Sequence, residues 1–222
     1  MNEKYIFFDL DGTLTDPGLG ITNSIMYALK KMGYEVPPRE SLYKFIGPPL
    51  IPSFMKYFNM SGPEAQRALE TYREYFGVKG LLENTVYNGI PELLETLNRA
   101  GHKAVLATSK PEKYAVEILK SFSLYDFFAF VSGNTMEETR HEKADLLSYA
   151  FSELGLTEAD KARSIMVGDR ENDITGAHSF GIKAVGVLYG YGSRSELEAA
   201  GADMFAESVD RLEKTLKEWC EI

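Results

Sequence analysis

The chain has 222 residues, enough for one large domain or for a core with a smaller attachment. Its formal net charge of -9 disfavours a general binder of nucleic acid or of anionic membranes. The single cysteine, Cys220, excludes an internal disulfide, and no apolar run approaches the ~20 residues of a membrane span. We therefore expect a cytoplasmic protein.

Short apolar runs recur along the chain and are typical of strands buried on both faces of a parallel sheet. They lie at 5–10, 104–107, 128–131, 164–167, 184–187 and 203–205. Helical patterns lie between most of them; Ser109 is expected to cap one such helix, and another is predicted near 173–180. The alternation predicts an α/β fold with a doubly wound parallel-sheet (Rossmann-like) core.

Residues 17–83 interrupt this alternation. Ile21, Ile25 and Leu29 follow helical spacing, as does a second set of residues between 65 and 76, and no convincing strand lies between the two sets. The prolines in the segment 47–49 force a break between two helices. The pattern predicts a small all-helical cap domain at 17–83, inserted into a catalytic core made of 1–16 and 84–222.

Four polar clusters follow predicted strands. They contain Asp9 and Asp11, then Thr108 and Ser109, then Lys143, and finally Asp169 and Asp173. Each cluster alone is more often a helix cap or solvated surface. Because ligands of open α/β sheets bind beyond the carboxyl ends of the strands, the four clusters together predict metal-assisted phosphoryl transfer.

These clusters resemble, in order, the four motifs of the haloacid-dehalogenase-like hydrolase superfamily. The residues that carry the resemblance are DLDGTL at 9–14, Thr108, Lys143 and GDREND at 168–173. The segments FIGPPL at 45–50 and ATSKP at 107–111 are similar to a phosphoglycolate-phosphatase-like branch that is often labelled 5'-nucleotidase. The resemblance spans essentially the whole chain, including the helical insertion.

The resemblance implies a role for each motif residue. Asp9 would attack phosphorus and become an aspartyl-phosphate, and Asp11 would protonate the leaving oxygen and later deprotonate water. Thr108 would donate a hydrogen bond to phosphate, and Lys143 would offset negative charge. The second aspartate favours phosphate esters over carbon–halogen bonds, since only an ester has an oxygen leaving group to protonate.

The resemblance also implies a Mg²⁺ cofactor. Asp9, the main-chain carbonyl of Asp11, and Asp169 would hold the ion, and Asp173 would act through water or orient the ligands. We expect the substrate to contact Gly12, Ser109 and, in the cap, Gly47.

The sequence thus predicts a magnesium-dependent phosphatase for a small phosphorylated metabolite, either phosphoglycolate-like or a nucleoside monophosphate. We expect it to be a monomer or a weak homodimer that binds neither a nucleic acid polymer nor a membrane. A phosphomutase of the β-phosphoglucomutase type, a pyrophosphatase and a non-catalytic binding protein remain alternatives. A nucleotide-dependent oxidoreductase is disfavoured because no G-x-G-x-x-G follows the first predicted strand.

Overall fold

A computed structural model of the chain describes residues 3–140 and 142–222. The chain divides into two compact units, one that runs up to Thr15 and resumes at Val86, and one formed by Asp16–Thr85. None of the helices in the described ranges has the length and apolar character needed to cross a bilayer.

The strands, numbered in chain order, fall into two sheets. They are β1 Tyr5–Phe8, β2 Thr15–Asp16, β3 Thr85–Val86, β4 Lys103–Pro111, β5 Phe128–Asn134, β6 Ser164–Gly168, β7 Lys183–Val187 and β8 Met204–Ala206. Among the described residues, β2 pairs with β3, and the other six strands form a parallel sheet in the order β5-β4-β1-β6-β7-β8. With helices between consecutive strands, this confirms the predicted Rossmann-like α/β core.

The helices fill the segments between the strands. They are α1 Gly18–Lys31, α2 Leu50–Phe58, α3 Gly62–Tyr75, α4 Ile90–Arg99, α5 Glu112–Ser121, α6 Lys143–Glu153, α7 Glu171–Phe180, α8 Arg194–Ala199 and α9 Val209–Cys220. A 3-10 helix over Arg39–Phe45 and a π-helix over Phe76–Gly80 complete the helical unit.

The centre of the large sheet is apolar on both faces. All four residues of β1 are buried, and Phe7 packs on Phe151 of α6 with ring centroids 5.6 Å apart. Met166 of β6 and Ile174 of α7 belong to the same cluster. This burial explains why the central strands read as unbroken apolar runs.

The helical unit has an apolar core of its own. Phe45 and Phe54 are almost fully buried, and their ring centroids lie 5.5 Å apart. Ile25 and Leu69 are buried in the same unit. The segment Gly47-Pro48-Pro49 separates the 3-10 helix from α2, at the predicted position.

One predicted helix start was wrong. Ser109 does not cap a helix, because β4 stays extended to Pro111 and α5 begins at Glu112. A proline disfavours helical geometry in the residue before it, so the helix cannot start earlier. The helix predicted near 173–180 is present and starts two residues earlier, at Glu171, because the Asp173 carboxylate accepts a hydrogen bond from the Arg170 main-chain N–H (3.0 Å) and caps the first turn.

Candidate active site

The site lies at the carboxyl edge of three neighbouring strands. Asp9 directly follows β1, Thr108 lies near the end of β4, and Asp169 directly follows β6. The Asp9 main-chain N–H donates to the Val167 carbonyl oxygen (2.9 Å), which carries the pairing of β1 with β6 one residue further. Parallel strands end at a common edge, so the motif residues meet there although they are far apart in sequence.

Lys143 is the cation at the centre of the site. It is the first residue of α6, and its side chain is 1% exposed. Its Nζ lies 3.0 Å from Asp9 Oδ1, 2.7 Å from Asp173 Oδ1 and 2.8 Å from the Ala107 carbonyl oxygen. Burial disfavours the ammonium ion, but the charges of Asp173 and Asp9 outweigh burial and raise the pKa of Lys143, so the side chain is protonated.

Asp169 is held by the loop that follows β7. Its Oδ2 accepts a hydrogen bond from the Tyr191 main-chain N–H at 2.7 Å. A Cβ placed on Gly190 would lie 2.5 Å from that same oxygen, so only glycine allows the loop to approach so closely. The sequence does not reveal this contact, because a main-chain donor gives no signal in a pattern of side chains.

Three buried carboxylates form a group that fits a divalent cation. Asp9, Asp169 and Asp173 offer oxygens that all lie within 4.8 Å of one another. Asp169 Oδ1 is buried and accepts no hydrogen bond from the residues that the structure describes. Burial, followed by the charges of Asp173 and Asp9, raises the pKa of Asp169 well above its ordinary value. A bound cation would relieve this cost, and an all-oxygen ligand set suits Mg²⁺.

The side chain of Asp173 belongs to this group of carboxylates, whereas the side chain of Asp11 does not. Asp173 Oδ2 accepts a hydrogen bond from the Arg170 N–H (3.0 Å), and Oδ1 forms an ion pair with Lys143 Nζ (2.7 Å) but accepts no hydrogen bond among the described residues. This arrangement matches an orienting role for Asp173. The main-chain carbonyl of Asp11 as a metal ligand stays a prediction.

Gly12 shapes the turn that follows Asp9 and Asp11, the two aspartates predicted to be catalytic. Its φ is +81°, and a Cβ at this position would lie 2.2 Å from Asp169 Oδ2. The Gly12 N–H donates to the Thr15 carbonyl oxygen at 2.7 Å, and the Tyr189 hydroxyl donates to the Thr13 carbonyl oxygen at 3.0 Å. Only glycine can fill this position, so the turn and Asp169 are built as one unit.

Asp11 pairs with a lysine that sequence reasoning did not single out. Lys110 Nζ lies 2.7 Å from Asp11 Oδ2, and the two side chains are only 6% and 11% exposed. Burial raises the pKa of Asp11, although the Lys110 ammonium opposes the rise. A lysine near the end of a strand is usually solvated, so the residue type alone does not predict an ion pair with Asp11. The one signal in the sequence is that Lys110 lies between Thr108 and Pro111, within a motif of the site.

The remaining candidates fall in different places. Thr108 is buried, and its hydroxyl accepts a hydrogen bond from the Lys110 N–H (3.3 Å), which leaves the hydroxyl proton able to donate. Ser109 lies beside it near the end of β4, where its contact with substrate stays a prediction. Gly47 lies in the helical unit at φ +98°, and its predicted contact with substrate is likewise untested.

The comparisons with known proteins agree with this geometry. A family model described as haloacid dehalogenase-like hydrolase matches residues 6–187. The chain is 41% identical over 212 residues to a protein from Pseudomonas aeruginosa named 5'-nucleotidase, covering 96% of this chain and 95% of the relative. A solved structure of a predicted phosphatase from Clostridium acetobutylicum superposes with a TM-score of 0.93 at 43% identity, covering 98% of this chain and all of that one.

Two further relatives carry different names. Tyrosine-protein kinase PtkA from Mycobacterium tuberculosis is 34% identical over 216 residues, which cover 96% of this chain and 72% of the kinase. A phosphoglycolate phosphatase from Vibrio parahaemolyticus is 27% identical over 94% of both chains. The resemblance predicted from the four motifs is therefore confirmed.

Proposed function

The chain belongs to the haloacid dehalogenase-like hydrolase family, as one of its phosphatases, and we propose that it hydrolyses a small phosphate monoester through an aspartyl-phosphate on Asp9. The observation that carries the proposal is the setting of Asp9. One of its oxygens is 3.0 Å from a buried ammonium, and two further buried carboxylates lie beside it. Such a carboxylate can act as a nucleophile only where cations offset the repulsion of an incoming phosphate.

The first chemical step transfers the phosphoryl group to the enzyme. A carboxylate oxygen of Asp9 forms a bond to phosphorus while the ester P–O bond breaks. Asp11 gives its proton to the leaving oxygen, so that an alcohol departs instead of an alkoxide. Thr108 donates to an oxygen of the phosphoryl group, and Lys143 offsets the charge shared by Asp9 and that group.

The second step returns the enzyme to its starting state. Asp11, now a carboxylate, takes a proton from water as the water oxygen bonds to phosphorus. The bond between the Asp9 oxygen and phosphorus breaks, which releases inorganic phosphate and leaves Asp11 protonated for the next cycle.

We propose that the cation is Mg²⁺, held by Asp9, Asp169 and the main-chain carbonyl of Asp11, with Asp173 orienting the site. Magnesium would supply positive charge for the phosphoryl oxygens and align them with Asp9. With Asp11 protonated at the start of the cycle, the carboxylates of Asp9, Asp169 and Asp173 outnumber the two ammonium groups of the site, and the incoming phosphate adds further negative charge that a divalent ion would balance.

The substrate that we place first is a nucleoside 5'-monophosphate, and phosphoglycolate second. The order follows the relatives' names, since the one at 41% identity is called a 5'-nucleotidase and the phosphoglycolate phosphatase is at 27%. We propose that residues 1–16 and 84–222 carry the chemistry, and that residues 17–83, including Gly47, recognise the leaving group. The setting proposed is a cytoplasmic monomer or weak homodimer that acts on a free metabolite.

A panel assay tests this proposal. Purified protein is stripped with a chelator and then supplied with Mg²⁺, and phosphate release is measured from nucleoside monophosphates, phosphoglycolate, sugar phosphates and pyrophosphate. We expect release from a monoester that requires Mg²⁺ and is lost in Asp9→Asn, which is nearly isosteric but cannot attack phosphorus. Full activity of the chelated enzyme, or substantial activity of Asp9→Asn with deamidation excluded, would refute the proposal.

The alternatives differ in what accepts the phosphoryl group. A phosphomutase would convert an aldose 1-phosphate to its 6-phosphate with little free phosphate, and a pyrophosphatase would prefer pyrophosphate to every monoester. The relative named tyrosine-protein kinase adds a third acceptor, a tyrosine hydroxyl. Incubation with ATP and detection of phosphotyrosine separates that activity from transfer to water.

A further inference from the structure

We propose that Lys110 is a positioning residue for Asp11, which it holds in the orientation needed for proton transfer to the leaving group. The inference rests on the proposed function, because it concerns the residue assigned there as the acid and base. It starts from the 2.7 Å ion pair between Lys110 Nζ and Asp11 Oδ2.

The two oxygens of Asp11 differ in their surroundings. Oδ2 faces Lys110, whereas Oδ1 is buried and accepts no hydrogen bond within the described chain. A lysine ammonium only donates hydrogen bonds, so it fixes Oδ2 as an acceptor throughout the cycle. Oδ1 is then the oxygen that exchanges its proton with the leaving group and with water.

The backbone of β4 delivers Lys110 to this place. The pairing of β4 with β5 shifts register between Thr108 and Pro111, which lets the strand bend past the end of its regular ladder. β4 is also the direct neighbour of β1, which leads into the Asp11 loop. Lys110 as a whole residue is only 9% exposed. A lysine is almost never buried unless it is paired, so its pairing with Asp11 accounts for this burial.

Orientation matters here because a carboxylate on a loop has freedom to rotate. An acid that donates its proton in the transition state must keep one oxygen within hydrogen-bond reach of the departing atom. An ion pair between two buried side chains restricts the χ angles of both, and removal of the lysine would let Asp11 turn away. In this proposal Lys110 acts through Asp11 and not on the reacting atoms.

The test compares two substrates whose leaving groups need the acid to different degrees. A simple alkyl phosphate requires protonation of its departing oxygen, whereas p-nitrophenyl phosphate releases a stable phenolate without it. We expect Lys110→Met to lower kcat for the alkyl phosphate by about 10- to 100-fold, part of the range for general acid catalysis. The first-turnover release of nitrophenolate should change by less than about threefold, and the inhibition constant of inorganic phosphate, which reports binding alone, should stay near the wild-type value. Lys110→Arg, which keeps the charge, should recover part of the loss, and Lys113→Met, an exposed lysine on α5, is the matched control.

A double-variant cycle guards against misfolding. Lys110→Met alone leaves a buried carboxylate without its partner, whereas Asp11→Asn with Lys110→Met removes both charges. If Lys110 acts only through Asp11, the double variant should have the activity of Asp11→Asn alone, within about twofold.

The outcomes separate the inference from the proposed function. Equal losses on both substrates, weaker inhibition by inorganic phosphate, or a further loss on top of Asp11→Asn would assign Lys110 to phosphate binding and overturn the inference alone. If Asp11→Asn keeps full activity on the alkyl phosphate, the acid role of Asp11 is wrong and the inference falls with it.

Discussion

Lys143 Nζ lies 3.0 Å from Asp9 Oδ1, so the first residue of α6 reaches the acid that follows β1. The same nitrogen is 2.7 Å from Asp173 Oδ1 and is therefore shared by two of the three clustered carboxylates. One buried cation thus offsets the charge of Asp9, the proposed nucleophile, and holds Asp173, the carboxylate that caps the first turn of α7. The charge balance of the site depends on this lysine.

Replacing Lys143 should remove activity and weaken the fold together. Lys143→Met leaves Asp9 and Asp173 buried without their shared ammonium, and breaking a buried pair costs about 3–5 kcal/mol. We expect kcat to fall by at least about 100-fold, as for loss of a group that stabilises transition-state charge. Steady-state kinetics measures this loss at a temperature where circular dichroism shows that the variant is folded. Lys214→Met, which replaces an exposed lysine, is the control. A folded Lys143→Met enzyme with wild-type kcat contradicts the role given to Lys143.

Gly12→Ala should abolish metal binding. The added Cβ would lie 2.2 Å from Asp169 Oδ2, so either the turn or Asp169 must move. Gly33→Ala is a matched control, because Gly33 also has a positive φ, +78°, and such a Cβ would have no atom of the described chain within 4 Å apart from its own chain neighbours. We expect calorimetry to detect Mg²⁺ binding to Gly33→Ala but none to a folded Gly12→Ala. Equal binding by the two variants would show that this close approach is unimportant.

Magnesium should stabilise the folded protein, and Asp169 should be required for that effect. A ligand at 100 times its Kd adds about 2.7 kcal/mol to the free energy of unfolding. Asp169→Asn should lose this response, and without metal it should unfold at a higher temperature than wild type because one buried carboxylate charge is gone. Thermal unfolding with Mg²⁺ and with sodium chloride of equal ionic strength measures both effects. The same Mg²⁺-dependent shift in both proteins would place the cation elsewhere.

His102 should make stability depend on pH away from the site. Its ring is buried, its Nδ1 accepts a hydrogen bond from the Lys4 N–H (3.3 Å), and burial, followed by the charge of Lys4, lowers its pKa below the ordinary 6.5. Between the folded and unfolded pKa values the unfolded chain binds more protons, so stability rises with pH through this window and is lost as pH falls below about 6.5.

Denaturant unfolding of wild type and His102→Gln at pH 7.5 and pH 5 measures this contribution. The wild type should lose more of its free energy of unfolding than the variant between these two pH values. Identical losses would show that His102 does not titrate as its surroundings require.

The sequence predicted the sheet and most of the site because both depend on local patterns. Buried central strands such as β1 require continuous apolar runs, and the acids Asp9 and Asp169 mark where those strands end. The pairing of Lys110 with Asp11 could not be predicted, since it depends on the register shift that ends β4. The helix start assigned to Ser109 failed for the same reason: capping preference is local, whereas β5 keeps β4 extended to Pro111. The hydrogen bond from the Tyr191 N–H to Asp169 could not be predicted either, because its donor is a main-chain N–H, a group that every residue except proline has.

The most direct test of the account is to trap the covalent intermediate. Asp11→Asn enzyme is mixed with p-nitrophenyl phosphate and Mg²⁺ and quenched after one turnover, since it should form the aspartyl-phosphate but hydrolyse it slowly for want of a base. Borohydride reduces an acyl phosphate to an alcohol, so the account predicts that peptide mass spectrometry will find homoserine in place of Asp9 and nowhere else. Asp9 unmodified in enzyme that has released a full equivalent of nitrophenolate, or a phosphoryl group on another residue, would contradict it.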